Sequence, residues 1–586
     1  MAKPLNILIY SLDSTVKDVL AEQLSATLTS QGHPSPDISR AVGWQSATRK
    51  VLNLPVDMVF FETPKGETHS LGDAADAIKR LKKHIYAVAL ISPESNISEG
   101  DLFTNLGLDG TIAISPETPG KEGLEEQISQ LISQREEWEH IAATVLQKLK
   151  GNNTYLGKEV LPSLEEKRVL ADGRRIKHIS EVNIYYLTED GKESSVKVLR
   201  KFTDPDGEEM DLYKEFIGSE ASKCFVPFFG NIDSENAVVL ANWNSQKGRL
   251  GDNTLEQRLK KLYFRIKDAR EKEEDAESID RERRAHLYEI TRLVAHFHYF
   301  ATKKINDDIR GGTESILSDG GKSLSSQKGL RLLQKSHYYE KFLCDTRRVI
   351  SYINNKVPEA DRLNRREIDS AMQELKILLA QNDSFFDWAT VGPLTVIHND
   401  LYGENILHNE DFSADADAEV LERQFKDRLI DLRHMAFGPS ILDFGFLESP
   451  WLYYSEEHLN HIEDIKYDCF KLWKDEIRKL FVADGTKPAS IMEILDSNQE
   501  IDMFDIIYER PKVIYWHMKI AADISKSKRD NDLYTQLNFS KRTMGQMLKS
   551  KRNIPYEEIL EKLSTFFDKH IYSKMGLLNG ETTGDS

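Results

Sequence analysis

Residues 396–409, VIHNDLYGENILHN, decide how this chain is read, together with residues 428–448, RLIDLRHMAFGPSILDFGFLE, which follow an acidic loop. Three polar groups interrupt apolar runs here: Asp400, Asn405 and Asp431. The short apolar pieces Ile406-Leu407 and Leu429-Ile430 predict two strands of a hairpin, which would bring Asn405 and Asp431 to the same side of one cleft. Phosphoryl transfer from a nucleotide needs a carboxylate near the attacking hydroxyl and hard oxygen ligands for Mg²⁺. Asp400 suits the first role. The Asn405 amide oxygen and the Asp431 carboxylate suit the second.

The run His398-Asn399-Asp400 with Asn405, then Ile430-Asp431-Leu432, resembles the aminoglycoside phosphotransferase and choline kinase family. The His-Asn-Asp-Leu wording is closer to its choline/ethanolamine branch than to the His-Gly-Asp of most antibiotic kinases. The resemblance implies a bilobal protein-kinase-like fold using ATP and Mg²⁺. On the matching positions Asp400 would be the catalytic base, Asn405 and Asp431 the metal ligands, and His398 a structural neighbour. Asp443, closing Gly438-Pro439-Ser440-Ile441-Leu442-Asp443, resembles the later Asp that braces the family's catalytic loop.

The totals bound the rest. At 586 residues the chain exceeds one core, so about three or four structural units are expected. Its 40% hydrophobic and 30% charged residues are those of a globular protein. A net charge of −18 argues against binding nucleic acid, which needs a basic face. Cys224, Cys344 and Cys469 lie far apart and offer neither a disulfide framework nor a zinc spacing, which fits a reducing compartment. No stretch approaches the roughly 20 apolar residues of a membrane span. A cytoplasmic protein without membrane attachment is the expectation.

The fold class expected is multidomain: α/β at the N-terminus, then α+β. In residues 1–122, apolar strands at 5–10, 58–61, 87–91 and 110–114 alternate with amphipathic helices, as in a flavodoxin-like parallel sheet. Asp57-Met58-Val59-Phe60-Phe61-Glu62, Leu90-Ile91-Ser92 and Gly107-Leu108-Asp109-Gly110 resemble the receiver domain of response regulators. A working receiver has an acidic pair after its first strand, an acceptor Asp after the third and a Lys after the last. Here the first exit reads Tyr10-Ser11-Leu12-Asp13, Glu62 stands at the acceptor position and Ser115 at the Lys position. This departure implies a pseudo-receiver that docks a signalling protein or senses a signal without phosphorylation chemistry.

Residues 123–151 predict a linker helix. Leu124, Ile128, Leu131, Ile132, Trp138, Ile141, Val145, Leu146 and Leu149 recur mostly at three- and four-residue steps. A second copy, making a homodimer, or the chain's own domains must cover that stripe; the dimer is the expectation. Residues 152–243 turn β-rich and look like the smaller lobe of the kinase fold. Val196-Lys197-Val198-Leu199 places Lys197 on a strand, where it could neutralise nucleotide phosphates, with Glu215 as helix partner and Glu209 or Glu220 as alternatives. No glycine-rich phosphate cradle is legible.

Residues 244–586 form the larger helical lobe. Leu293-Val294-Ala295-His296-Phe297-His298 resembles the family's helix before the catalytic loop, with His298 structural. After Asp443 the chain is rich in aromatics. In choline kinases such rings hold a trimethylammonium group, and cation–π attraction supplies the physical reason; Trp451, Tyr454 and Trp516 are the candidates here. Two functions follow as expectations. One is a kinase for a hydroxyl on a small cationic substrate; the other is a silent nucleotide- or metabolite-binding regulatory protein.

Overall fold

The apolar runs near the N-terminus form a parallel five-stranded sheet in the computed structural model. Its strands are β1 (Asn6–Tyr10), β2 (Asp37–Ala41), β3 (Met58–Glu62), β4 (Tyr86–Ile91) and β5 (Gly110–Ala113), in the order 2-1-3-4-5. Helices α1 (Ser14–Ser30), α2 (Trp44–Asn53) and α3 (Thr68–Leu81) connect them, so the sheet is buried on both faces. The polar edge strand β2 and the short α2 are the pieces that apolar periodicity did not mark. An edge strand has one neighbour and little apolar surface to bury. The residues described are 4–11, 13–62, 68–91, 108–114, 123–150, 154–160, 179–203, 208–243, 253–309, 330–382, 385–386, 394–413, 419–452, 456–485, 509–526, 530–549 and 557–578.

Two compact units result: Met1–Arg168, Lys177–Lys214 and Val226–Trp243 make the first, and Val169–Ile176, Glu215–Phe225 and Asn244–Ser586 the second. Within the first, α4 (Leu124–Lys150) is one uninterrupted helix. Leu124, Ile128, Leu131 and Ile132 enter the core of the parallel sheet. Trp138, Ile141, Ala142, Val145 and Leu146 enter a second core, under an antiparallel sheet. That sheet runs β6 (Thr154–Val160), β7 (Ile179–Leu187), β8 (Glu193–Phe202), β10 (Ala237–Ala241), β9 (Phe228–Ile232). The homodimer seam expected on α4 is therefore corrected: its apolar stripe from Leu124 to Leu146 is covered by the chain's own two sheets, and only Leu149, 47% exposed, is left open. Gly157 of β6 passes so near the first sheet that a Cβ there would sit 2.0 Å from the His84 carbonyl oxygen. Its smallness serves packing.

A buried ionic hub joins the same elements. The Glu235 carboxylate lies 2.9 Å from Arg200 Nη1 and 3.5 Å from Lys158 Nζ, and accepts hydrogen bonds from the Trp138 indole and the Gln134 amide. Lys158 Nζ also stands 4.3 Å from the Trp138 ring centroid. Burial alone would raise the Glu235 carboxyl, but Arg200 and Lys158 outweigh it and hold it at about 2.

The second unit is largely helical. Among its helices are α6 (Leu255–Glu271), the 34-residue α7 (Ala276–Ile309), α8 (Lys335–Lys356), α9 (Arg365–Ala380), α10 (Glu456–Asp484), α11 (Glu509–Lys526), α12 (Asp530–Lys549) and α13 (Glu557–Phe567). Helices α8, α9, α11, α12 and α13 share one apolar core around Phe342, Leu375, Met518, Leu537 and Phe567. Two small sheets interrupt them. Strands β11 (Arg331–Leu332), β15 (Ala436–Pro439) and β12 (Leu394–Ile397) form one. The other is the hairpin β13 (Ile406–His408) and β14 (Asp427–Leu429), in the register Ile406↔Leu429. Among the described residues no helix is long and apolar enough to cross a membrane.

Candidate functional site

The chain leaves β12 at Ile397 and turns through two residues whose backbone amides are held by one carboxylate. Asp443 Oδ2 accepts from His398 N (2.6 Å) and Oδ1 from Asn399 N (2.7 Å). Asn399 sits in the left-handed region at φ 60°, which Asn tolerates better than most residues. His298 of α7 fixes Asp443 from behind, with Nε2 2.9 Å from Oδ2, while Trp473 Nε1 donates to His298 Nδ1 (3.1 Å). An indole nitrogen can only donate, so His298 carries its proton on Nε2 and donates it to Asp443. All four residues of this brace, Trp473, His298, Asp443 and His398, are fully buried. His398 Nε2 reaches across to the Ile430 carbonyl (3.0 Å), next to Asp431.

The loop then closes on itself. Asn405 Nδ2 donates to the Asp400 carbonyl (2.7 Å) and to Asp400 Oδ2 (3.3 Å), which turns the amide oxygen of Asn405 away from Asp400. The Asn405 carbonyl accepts from Ile430 N (3.0 Å), one residue before Asp431. Asp431 is left-handed, at φ 74°, ψ 67°. Strain of this kind is a mark of sites whose surroundings over-determine the backbone. Asp400, Asn405 and Asp431 are all buried, and His434 lies within electrostatic reach of both carboxylates. The hairpin thus brings together the three side chains that sequence spacing had picked. An amide oxygen and a carboxylate in this arrangement could hold Mg²⁺ beside a second carboxylate.

Gly403 packs on the first turn of α6; a Cβ there would lie 2.9 Å from Glu256 N. Burial lifts the Glu256 carboxyl to about 7, with Glu404 adding to it against hydrogen bonds from Ser449 and Trp451. Trp451, expected to line a substrate pocket, has packing partners of its own. Tyr263 and Phe264 pack on its ring, at 5.5 and 5.9 Å between centroids, and Lys260 Nζ stands 5.1 Å from it. The cation at this aromatic is the protein's own. Tyr454 lies outside the described residues, as does the side chain of Trp516 on α11.

The strand cation is also corrected. Lys197 is 52% exposed and makes a 3.5 Å contact with Glu181, while Glu215 pairs with Lys304. Four residues along the same face of β8, Lys201 pairs with Glu209 of α5 (Glu208–Phe216), both 3% exposed. Pairing explains the difference. β10 flanks β8 only from Val198 onward, so Lys197 has a strand on one side and Lys201 on both. Sequence reading named Glu209 as an alternative partner and missed Lys201.

At the receiver-like positions, Ser11 Oγ donates to Glu62 Oε2 (2.5 Å). Asp13 Oδ1 caps α1 by accepting from Thr15 N (2.7 Å) and Val16 N (3.4 Å). Ser115 lies outside the described residues. A buried pair that spacing did not suggest, Lys79 Nζ to Asp109 Oδ2 at 2.6 Å, ties α3 to the start of β5. Comparison with protein-family models and with curated proteins finds no match to this chain.

Proposed function

We propose that the chain is an ATP- and Mg²⁺-dependent phosphotransferase acting on a hydroxyl of a small cationic substrate. Its N-terminal sheet is a receiver-like regulatory domain without phosphorylation chemistry. One observation supports the enzyme reading: the Asn405 side-chain amide donates to Asp400 and its backbone carbonyl accepts from Ile430 N, which ties Asp400, Asn405 and the residue before Asp431 into one loop–hairpin junction. Asp400 would orient the hydroxyl and accept its proton. Asn405 and Asp431 would hold Mg²⁺, which bridges and neutralises nucleotide phosphates when bound. The buried Lys201–Glu209 pair is the candidate for the phosphate-neutralising role, in place of Lys197.

The test is ATP consumption with Mg²⁺ across a panel of amino alcohols. Asp400→Ala and Asp431→Ala should each lower turnover by about a thousandfold or more, since both act on the reacting groups. Turnover that survives in both variants would refute the assignment. A silent nucleotide-binding switch is favoured by one observation, that Gly157 is used for packing against His84 rather than as part of a phosphate cradle. Nucleotide binding with no turnover by the wild type would select that reading.

A further inference from the structure

The far end of the hairpin holds a second constellation, independent of the kinase reading. His408 closes β13, Asp427 opens β14 opposite it, and His286 reaches them from α7. His408 Nδ1 lies 3.0 Å and His286 Nε2 3.3 Å from Asp427 Oδ1, and one ligand atom from each residue falls within 4.8 Å of the others. All three side chains are buried, Asp427 completely. Two polar atoms here lack a hydrogen-bond partner: Asp427 Oδ2, and His286 Nε2, which stands 3.3 Å from Oδ1. Tetrahedral zinc with bonds of about 2.0–2.1 Å has ligand–ligand edges near 3.3 Å, close to the two imidazole–carboxylate distances found here.

We propose that His286 Nε2, His408 Nδ1 and the Asp427 carboxylate bind a transition-metal dication of the zinc class, with water completing the shell. Two imidazoles and one carboxylate select such an ion over Mg²⁺, which takes oxygen ligands. Arg258 controls entry. Its Nε donates to His286 Nδ1 (3.2 Å) and its Nη1 to Glu410 (2.7 Å). A guanidinium only donates, so it holds the His286 proton on Nε2, the atom the metal needs. Loading therefore requires Arg258 to swing away and the coordinating nitrogen of each ring to give up any proton it carries, to the other ring nitrogen or to water. The Nδ1 proton of His286 then faces the Glu410 carboxylate or water, the support a metal-bound imidazole normally has.

Titration of the full-length chain with Co²⁺ in excess Mg²⁺, without nucleotide, tests this. One Co²⁺ per chain should bind with the intense visible bands of tetrahedral coordination, lost in Asp427→Asn and His408→Gln. Arg258→Gln, which removes the donor and supplies an amide oxygen, should tighten binding at least about tenfold. Arg258, 19% exposed, is less deeply buried than the three ligands, so this variant stays informative even if one of those fails to fold. Absence of tetrahedral bands, bands unchanged in both buried variants, or an Arg258→Gln affinity no better than wild type would overturn the proposal.

Discussion

Lys197 and Lys201 point to the same face of one strand, and only their neighbours tell them apart. If Lys201 is the cation that meets nucleotide phosphates, Lys201→Met should cut turnover by about a hundredfold and Lys197→Met should leave it nearly unchanged. A loss in Lys197→Met alone would return the role to Lys197. A second expectation concerns Glu62 and Asp13. Glu62, at the acceptor position, accepts from Ser11 and is not the Asp that a phosphoacceptor requires, while Asp13 caps α1. Acetyl phosphate should therefore leave the N-terminal sheet unmodified by intact mass; a stable phosphoryl adduct there would refute this.

At the scale of elements, α4 shows that periodicity measures how much surface must be buried but not what covers it. Both halves of its stripe lie in cores of the first unit, so its large residues contribute to folding rather than to association. Trp138→Ala should lower unfolding stability by about 3–5 kcal/mol in denaturant titrations. Light scattering should find the same oligomeric state for variant and wild type. The hairpin β13–β14 was legible because Ile406-Leu407 and Leu429-Ile430 are apolar runs flanking a polar loop, and both chemistry-bearing residues sit at its ends. The brace behind it was less so. Asp443 and His298 were marked by resemblance, while Trp473, which fixes the His298 tautomer, looked like any core aromatic.

At the scale of the whole molecule, the first unit has an ionic anchor, Glu235, in addition to its apolar cores. Its carboxyl would titrate near 4.5 in the unfolded chain and titrates at about 2 when folded, so the stabilisation is complete above about 4.5 and is lost as the pH falls from there toward 2. Glu235→Gln leaves Arg200 and Lys158 buried without their anion, which should cost about 3–5 kcal/mol at neutral pH. It should also flatten this part of the acid-unfolding curve, as followed by circular dichroism. An acid-unfolding profile identical to wild type would show that the hub contributes nothing to pH dependence.

The amino-acid sequence by itself determined the alternating α/β start, the unbroken α4, the hairpin, and the spacing of Asp400, Asn405 and Asp431. Each of these is written in local terms, as hydrophobic period, strand length or residue type at short spacing. Only the tertiary structure decided that α4 is covered within the chain, that Lys201 rather than Lys197 meets a helix carboxylate, and that Trp451 already faces Lys260. It also brought His286 to His408 and Asp427. These outcomes depend on which strand flanks which and which face a helix turns inward. Such contacts join residues far apart in the chain, and no local pattern encodes them.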